Sequence, residues 1–484
     1  MIFMKTTEFK IAFVPIDNRP ITYLLTEQIT NINNNLKLFM PNRELLGGLV
    51  EVSNINAILD WLQNLEPVNL IVLSLDTIAY GGLVSSRRCK ETYEEIKTRI
   101  LKLKEILKLK KKENPNLKIY ATSSIMRISN NNINEEEKEY WNKWGKRIFS
   151  YSYYQHKSRV LKEYNCVYNI IPNEILEDYL DTRKRNFEIN KFYLELLKEE
   201  IFNYLVFSKD DTGEFGLNVE EANVLDELIQ KENLPAITKT GADEIPLGLL
   251  LRGIIEDKKV KINVVFSHPE SKNLISRYED ISIEKCVLAQ INLGVKNALI
   301  TNINPDITLF VNNFQNIQGE LVFLDSINEF KAKIPKFETP YIIADVSNAN
   351  GSDNGLIEGI FKNGLNGNLL AYSGYNTSAN TIGSALIIGL ISYFAKKEGI
   401  FNEKAHKKLL ITRFLDDWGY QANVRKIIQK REDKNFIEEL ELNLDKFKPF
   451  EDKIKNFTKE DFNVKYILPW KRSFEIEIEV DYGN

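Results

Sequence analysis

Apolar runs of five to eight residues recur along this chain, and most of them end in a charged or glycine-rich turn. Lys10–Ile16, Leu36–Met40, Asn69–Asp76, Leu117–Thr122, Tyr204–Phe207, Pro235–Thr240, Tyr341–Asp345 and Leu369–Gly374 read as strands, and the aromatic and aliphatic run Tyr204–Phe207 suits a fully buried one. Between them lie stretches with Ile and Leu at helical spacing, as in Glu91–Lys112 and Glu136–Glu200. Strand-to-helix alternation of this kind predicts an α/β fold with parallel sheets. Eight such units match a closed (β/α)8-like (TIM-type) barrel, favoured here over an open doubly wound sheet.

Two further strand signals, Val260–Phe266 and Asp306–Val311, sit in a stretch of different texture. The expected domains are therefore a barrel over 1–254 and 336–400, a small α/β insertion over 255–335, and a C-terminal helical and short β appendage over 401–484. Within that tail, acids Asp416 and Asp417 fall in a helical pattern, where surface ion pairs or caps are the simplest role.

Barrel strands deliver their exits to one rim. That rim would gather Asp17, Asn18, Arg19, Arg43, Glu44, Asp76, Tyr80, Arg87, Arg127, Asp210, Asp211, Asp243, Glu244, Asp345, Asn348, Asn350, Asn376 and Asn380. Amides and carboxylates bind hydroxyl groups by paired hydrogen bonds and tyrosine offers a ring face, so the expected ligand is a small molecule or oligosaccharide rich in hydroxyls. Asp17, Asn18, Arg19, Asp76, Tyr80, Arg127, Asp345, Asn348, Asn350, Asn376 and Asn380 are the substrate-binding candidates.

Glycoside cleavage uses two carboxyl groups, one with a raised pKa. The adjacent pairs Asp210/Asp211 and Asp243/Glu244 are the catalytic candidates. Asp211 would be the general acid and Asp210 the orienting carboxylate, or the reverse, with Asp243 and Glu244 in reserve. Neighbouring acids diverge on an extended chain, which suits a substrate-assisted mechanism on N-acetylhexosaminides. No cofactor is required by this reading. The alternative is a divalent-metal hydrolase or phosphatase with Asp17, Asp76, Asp210, Asp211 and Asp243 as oxygen ligands, and the third is a non-catalytic carbohydrate-binding protein. No phosphate-cradling G-x-x-x-x-G-K-[ST] loop is visible.

Composition narrows the chemistry. With histidines only at 156, 268 and 406, a His-rich zinc site or a Ser-His-Asp triad is disfavoured. Cys89, Cys166 and Cys286 lack metal-ligand spacing and an even count, which points to a reducing compartment. A formal charge of −4 offers no general attraction to nucleic acid or anionic membrane. The N-terminus carries no apolar secretory core, and the longest apolar run, Ala385–Ala395, is shorter than the roughly 20 residues of a membrane helix. A cytoplasmic protein is expected, with homo-oligomer formation left open.

Several of these segments carry a family resemblance. Val14-Pro-Ile-Asp-Asn-Arg-Pro20, Pro41-Asn-Arg-Glu-Leu-Leu-Gly47, Ser74-Leu-Asp-Thr-Ile-Ala-Tyr-Gly-Gly-Leu-Val-Ser-Ser-Arg87, Arg183-Lys-Arg-Asn186, the Asp210-Asp211 loop, Gly241-Ala-Asp-Glu244, Tyr372-Ser-Gly-Tyr-Asn-Thr377 and Leu415-Asp-Asp-Trp-Gly-Tyr420 resemble the signatures of the bacterial family catalogued as domain of unknown function 4127. The resemblance covers almost the whole chain and implies no activity. At motif level the adjacent aspartates are also similar to the Asp-Asp pair of some barrel N-acetylhexosaminidases.

Overall fold

A computed structural model describes residues 8–161, 170–363, 367–429 and 435–482. It is a mixed α/β fold with parallel sheets and many helices. The chain divides into two compact units. The first comprises Met1–Asn18, Lys37–Leu249 and Tyr278–Asp280; the second comprises Arg19–Leu36, Leu250–Arg277 and Ile281–Asn484.

The first unit is built on β1 (Phe9–Val14), β2 (Leu36–Phe39), β3 (Leu70–Ser74), β4 (Lys118–Ile125), β5 (Tyr204–Lys209) and β6 (Ala236–Thr240). Their order is β2-β1-β3-β4-β5-β6, with β1, β3, β4, β5 and β6 paired in parallel. All five residues of β3 are buried, which is what its unbroken apolar run requires of a strand covered on both faces. Long helices fill the connections, among them Tyr93–Glu113, whose start is fixed by a reciprocal cap between Thr92 and Glu95.

The second unit contains β7 (Lys259–Phe266), β8 (Asn297–Ile300), β9 (Ile307–Asn312), β10 (Gly319–Glu320), β11 (Tyr341–Asp345), β12 (Asn348–Ala349), β13 (Leu369–Ser373), β14 (Asn463–Ile467) and β15 (Glu477–Asp481). Five of these form a parallel sheet in the order β13-β11-β9-β7-β8. Counted within this unit, that order is 2-1-3-4-5 read from the far edge, the same arrangement as the first five strands of the other unit. It is the strand order of doubly wound sheets, which reverses between the first and third strands.

No closed barrel is found among the described residues. Of the eight expected barrel strands, six lie in the first sheet, while β11 and β13 lie in the second beside the strands assigned to an insertion, β7 and β9. The tail is not peripheral either: Leu410, Phe414, Trp418, Phe447 and Val480 share one buried cluster with Phe310, Ile343 and Tyr372 of the second sheet. The strands were located correctly but their partners were not, because a strand buried on both faces carries the same apolar signature whichever sheet it joins.

The apolar stretch 385–395 lies within the helix Ser378–Glu398. By length and composition this helix could cross a membrane, yet 94% of its apolar window is buried inside the protein. It lies against β11 and β13, and at Gly389 an added Cβ would sit 2.3 Å from Cγ1 of Ile342. Gly389→Ala should therefore lower stability by about 1–3 kcal/mol through overpacking. Thermal melts of Gly389→Ala, Ile342→Ala and the double variant check this. The double variant is expected to lose less than the two single losses added together, since truncating Ile342 removes the clash.

Candidate functional site

Strands β3, β4 and β5 are neighbours in the sheet, so the segments leaving their carboxyl ends meet at one edge. Arg87 comes from the short helix Leu83–Arg88 after β3, Arg127 follows β4, and Asp210 and Asp211 follow β5. Arg87 keeps only 1% of its side chain exposed and donates to Asp210 at 2.7 Å and Glu136 at 3.2 Å, with Glu137 at 3.6 Å. Arg127 donates to Asp211 at 2.8 Å, to Glu136 at 2.7 Å and to Glu137 at 3.0 Å, and lies 3.8 Å from Asp210.

Four carboxylates thus surround two guanidinium groups, and full ionisation would leave excess negative charge in a poorly solvated place. The group that yields is Asp211. Burial and then the neighbouring charge of Asp210 push its pKa from the ordinary 3.8 up to about 6, against the pull of Arg127. Asp211 also has a left-handed backbone, φ 35°, an uncommon conformation for a side-chain-bearing residue. Its side chain retains 28% exposure against 15% for Asp210, so the member with the raised pKa is the more accessible one.

Asp76 stands beside this network at the exit of β3. One carboxylate oxygen accepts from the Ser124 backbone NH at 2.9 Å and its hydroxyl at 3.1 Å. The other is buried without a hydrogen-bond partner, as is the hydroxyl of Tyr80, whose ring is capped by the Arg185 guanidinium at 5.6 Å. Burial raises the Asp76 pKa to about 6, and Arg87 is among the charges that oppose the rise. Asp17 and Asn18 leave β1 at the switch point between β1 and β3. There the Thr77 hydroxyl holds the Pro15 and Ile16 carbonyls at 2.6 and 2.9 Å, and Arg43 donates to the Asn18 carbonyl at 2.9 Å. Gly81, with φ 84°, lets its carbonyl accept from the Ser53 hydroxyl at 2.8 Å.

The reserve pair has a different setting. Glu244 is fully buried and folds back on its own loop, accepting from the Ala242 NH at 3.0 Å with Lys239 at 3.4 Å. This return requires glycine at 241, because a Cβ there would lie 1.9 Å from the Glu244 carboxylate. Glu244 is the first residue of the helix Glu244–Ile255, and Asp243 beside it is also buried.

The remaining candidates belong to the second unit. Arg19 stacks on Trp470 at 5.3 Å. Asn348 clasps the backbone of Asn328 through both amide atoms, at 2.8 and 3.0 Å, and Asn350 donates to Glu320 at 3.0 and 3.1 Å. Asn376 caps the Thr377 NH at 2.8 Å, and Asn380 reaches the Thr377 hydroxyl at 3.1 Å. These amides brace loops. Asp345 is buried among Asn312 at 2.9 Å, the Asp353 NH at 2.7 Å and the Tyr372 hydroxyl at 3.1 Å. Burial and the Asp353 charge raise its pKa to about 7.

The sequence pattern missed two features. Glu136 and Glu137, expected at the start of helices, lie in the turn before the helix Trp141–Leu161 and complete the arginine network; the Glu135-Glu136-Glu137 run following Arg127 was the available signal. Asp416 and Asp417, expected on a surface, are buried in the π-helix Phe414–Val424. Asp417 accepts from the Gly374 NH at 2.7 Å and from Arg413 at 3.0 Å, and burial pushes its pKa up to about 8. Such wide helices are uncommon and often accompany functional sites. Among the described residues no group of three or more His, Cys, Asp or Glu is placed to hold a metal ion. Cys89 and Cys286 are not joined in a disulfide, and Cys166 lies outside the described residues.

The fold and these clusters define a two-sheet α/β protein with charged, largely buried carboxyl edges. Over residues 11–479 the chain matches, and so belongs to, the family described as Protein of unknown function (DUF4127). No curated protein matches it. Among solved structures it is similar to the dehydroquinate dehydratase and shikimate dehydrogenase from S. pombe, at 12% identity and a TM-score of 0.19. That match covers 62% of this chain and 54% of the other, so the chain spans about half its length. At that score the likeness bears on neither fold nor activity.

Because the folded state holds the Asp76 proton more tightly than an unfolded chain does, ionisation disfavours folding. The penalty is absent below pH 4, grows as pH rises from 3.8 to about 6, and stays constant above. Asp76→Asn removes the ionisation. The melting temperature of this variant relative to wild type should rise across that window and then level off, which thermal melts between pH 4 and 8 would measure.

Proposed function

We propose that this protein is a glycoside hydrolase or closely related sugar-processing enzyme, with Asp211 as proton donor and Asp210 as its arginine-held partner. What carries the reading is one contrast: two adjacent carboxyl groups share an edge, one pinned by a buried arginine and the other shifted to a pKa of about 6 while still partly exposed. A carboxyl group of raised proton affinity beside one paired to a guanidinium is the equipment for protonating a leaving oxygen.

Asp210, held by Arg87, would orient a substrate acetamido group, making N-acetylhexosaminides the first substrates to examine. Asp76 and Tyr80, with their unpartnered buried oxygens, supply hydrogen-bonding capacity beside the pair. The arginines are occupied by carboxylates, which disfavours a phosphate-binding role, and the metal-dependent reading lacks a ligand group among the described residues. Glu244, fully buried and folded back onto the Ala242 NH, leaves the catalytic roles to Asp210 and Asp211.

The test is hydrolysis of alkyl and nitrophenyl N-acetylhexosaminides by wild type, Asp210→Asn and Asp211→Asn. Loss of the proton donor should lower kcat/KM on alkyl glycosides by about 10²–10⁴-fold and affect nitrophenyl substrates much less, because nitrophenolate leaves without protonation. Wild-type kcat/KM on alkyl substrates should fall as pH rises through about 6, where Asp211 gives up its proton. Turnover of phosphate esters alone, dependent on added Mn²⁺, would sink this reading, and saturable sugar binding without turnover would replace it with a binding role.

A further inference from the structure

The helix Trp141–Leu161 of the first unit carries five cations, Lys143, Lys146, Arg147, Lys157 and Arg159, and no acid, in a chain whose formal charge is −4. One face holds most of them. At about 100° per residue, Lys143, Lys146, Arg147, Tyr154 and Lys157 fall within a sector about 100° wide. The opposite face, with Trp141, Ile148, Ser152 and His156, is buried. Arg159, off the stripe, pairs with Glu220, whereas none of the four stripe cations pairs with an acid among the described residues. Three of them lie over rings instead: Lys143 and Arg147 at 5.2 and 5.0 Å from the centre of Trp144, and Lys157 at 5.5 Å from Tyr153. Like charges four residues apart, as at Lys143 and Arg147, repel and weaken a helix. A face built of them without acids therefore calls for an outside anion.

The stripe adjoins the loop of the acid pair. Phe215, four residues beyond Asp211, packs edge-on against Tyr153 at 5.5 Å and lies under Lys157 at 5.8 Å. The buried face of the helix grips the end of the same loop, His156 Nδ1 accepting from the Gly216 NH at 3.1 Å and the Ser152 hydroxyl from the Leu217 NH at 2.8 Å. Ahead of the helix, Glu136 and Glu137 hold Arg127, the partner of Asp211.

We propose that this stripe binds the substrate's own chain beyond the acid pair, and that this chain is an acidic glycan, an N-acetylhexosamine polymer bearing carboxylates. The choice of a glycan rests on the sugar-processing reading above; the choice of an acidic one rests on the stripe. Charge density argues against nucleic acid. Four cations spread over about 21 Å of helix, at about 1.5 Å per residue, suit a sparsely charged polymer, whereas a nucleic-acid strand carries a phosphate about every 3.4 Å. A membrane surface is disfavoured because a helix lying in a bilayer buries its apolar face there, and here Trp141 and Ile148 are already packed into the protein.

The test is calorimetric binding, at several salt concentrations, of hyaluronan oligosaccharides, which alternate N-acetylhexosamine with uronate, compared with uncharged chitin oligosaccharides of equal length. Wild type should bind hyaluronan at least about tenfold more tightly, a preference that shrinks as salt screens it. The double variant Lys143→Glu/Arg147→Glu should erase the preference, and Lys143→Gln/Arg147→Gln should reduce it by an intermediate amount, with circular dichroism and melting temperature retained. Lys108→Glu, at a 43%-exposed position on the helix Tyr93–Glu113, is the control and should leave binding unchanged. Equal affinity for the two sugars, a preference untouched by charge reversal, or one lowered as much by Lys108→Glu would overturn the proposal. Tighter binding to oligothymidylate or to phosphatidylserine vesicles would do the same. Stripe-dependent hyaluronan binding by a protein that cleaves no N-acetylhexosaminide would sink the proposed function and leave this inference standing. Cleavage of neutral N-acetylhexosaminides without a hyaluronan preference would do the reverse.

Discussion

The ion network around Arg87 is the constraint on which the first unit's edge depends. A guanidinium with 1% of its side chain exposed cannot shed its charge, so its surroundings must supply compensating acids. Asp210, Glu136 and Glu137 do so from segments far apart in the chain, and Arg127 ties the same glutamates to Asp211. Removing one partner from such a network leaves a buried charge uncompensated, which costs far more than the pair contributes. The network therefore fixes the positions of the exits of β3, β4 and β5 relative to one another. It also leaves one carboxyl group poorly compensated, and that group is the proposed acid.

The second unit solves a related problem with different chemistry. Asp345, Asp353 and Asp417 are buried with few cations nearby, and burial raises the proton affinity of each. Arg413 is shared between Asp416 and Asp417, while backbone amides and the Tyr372 hydroxyl satisfy much of the rest. Both units concentrate polar groups at the carboxyl ends of a sheet with five strands in the order 2-1-3-4-5, extended by β6 in the first unit, the end at which open α/β sheets place their ligands.

Strand positions were legible in the sequence because each is a short apolar run ended by a polar turn. β3, β5, β11 and β13 begin or end within two residues of the expected bounds. β8 was not legible: Asn297–Ile300 is short, exposed and followed by bends, so it lacks the buried signature. Among site residues, Arg87, Arg127, Asp210 and Asp211 were legible as strand exits. Glu136 and Glu137 were not, since their function is to neutralise arginines brought close only by folding.

The amino-acid sequence by itself determined the α/β class, the places where strands end, and the acids and arginines that gather there, because hydrophobic periodicity and turn chemistry are local properties. Tertiary structure alone decided which strands pair, and it divided an expected barrel between two open sheets. It also set the surroundings of each candidate: Glu244 turned inward onto the Ala242 NH, Asn348 clasped a loop, and Asp211 acquired a raised proton affinity. The reason is physical. Burial and the net charge of neighbours set a carboxyl group's proton affinity, and both depend on residues distant in the chain.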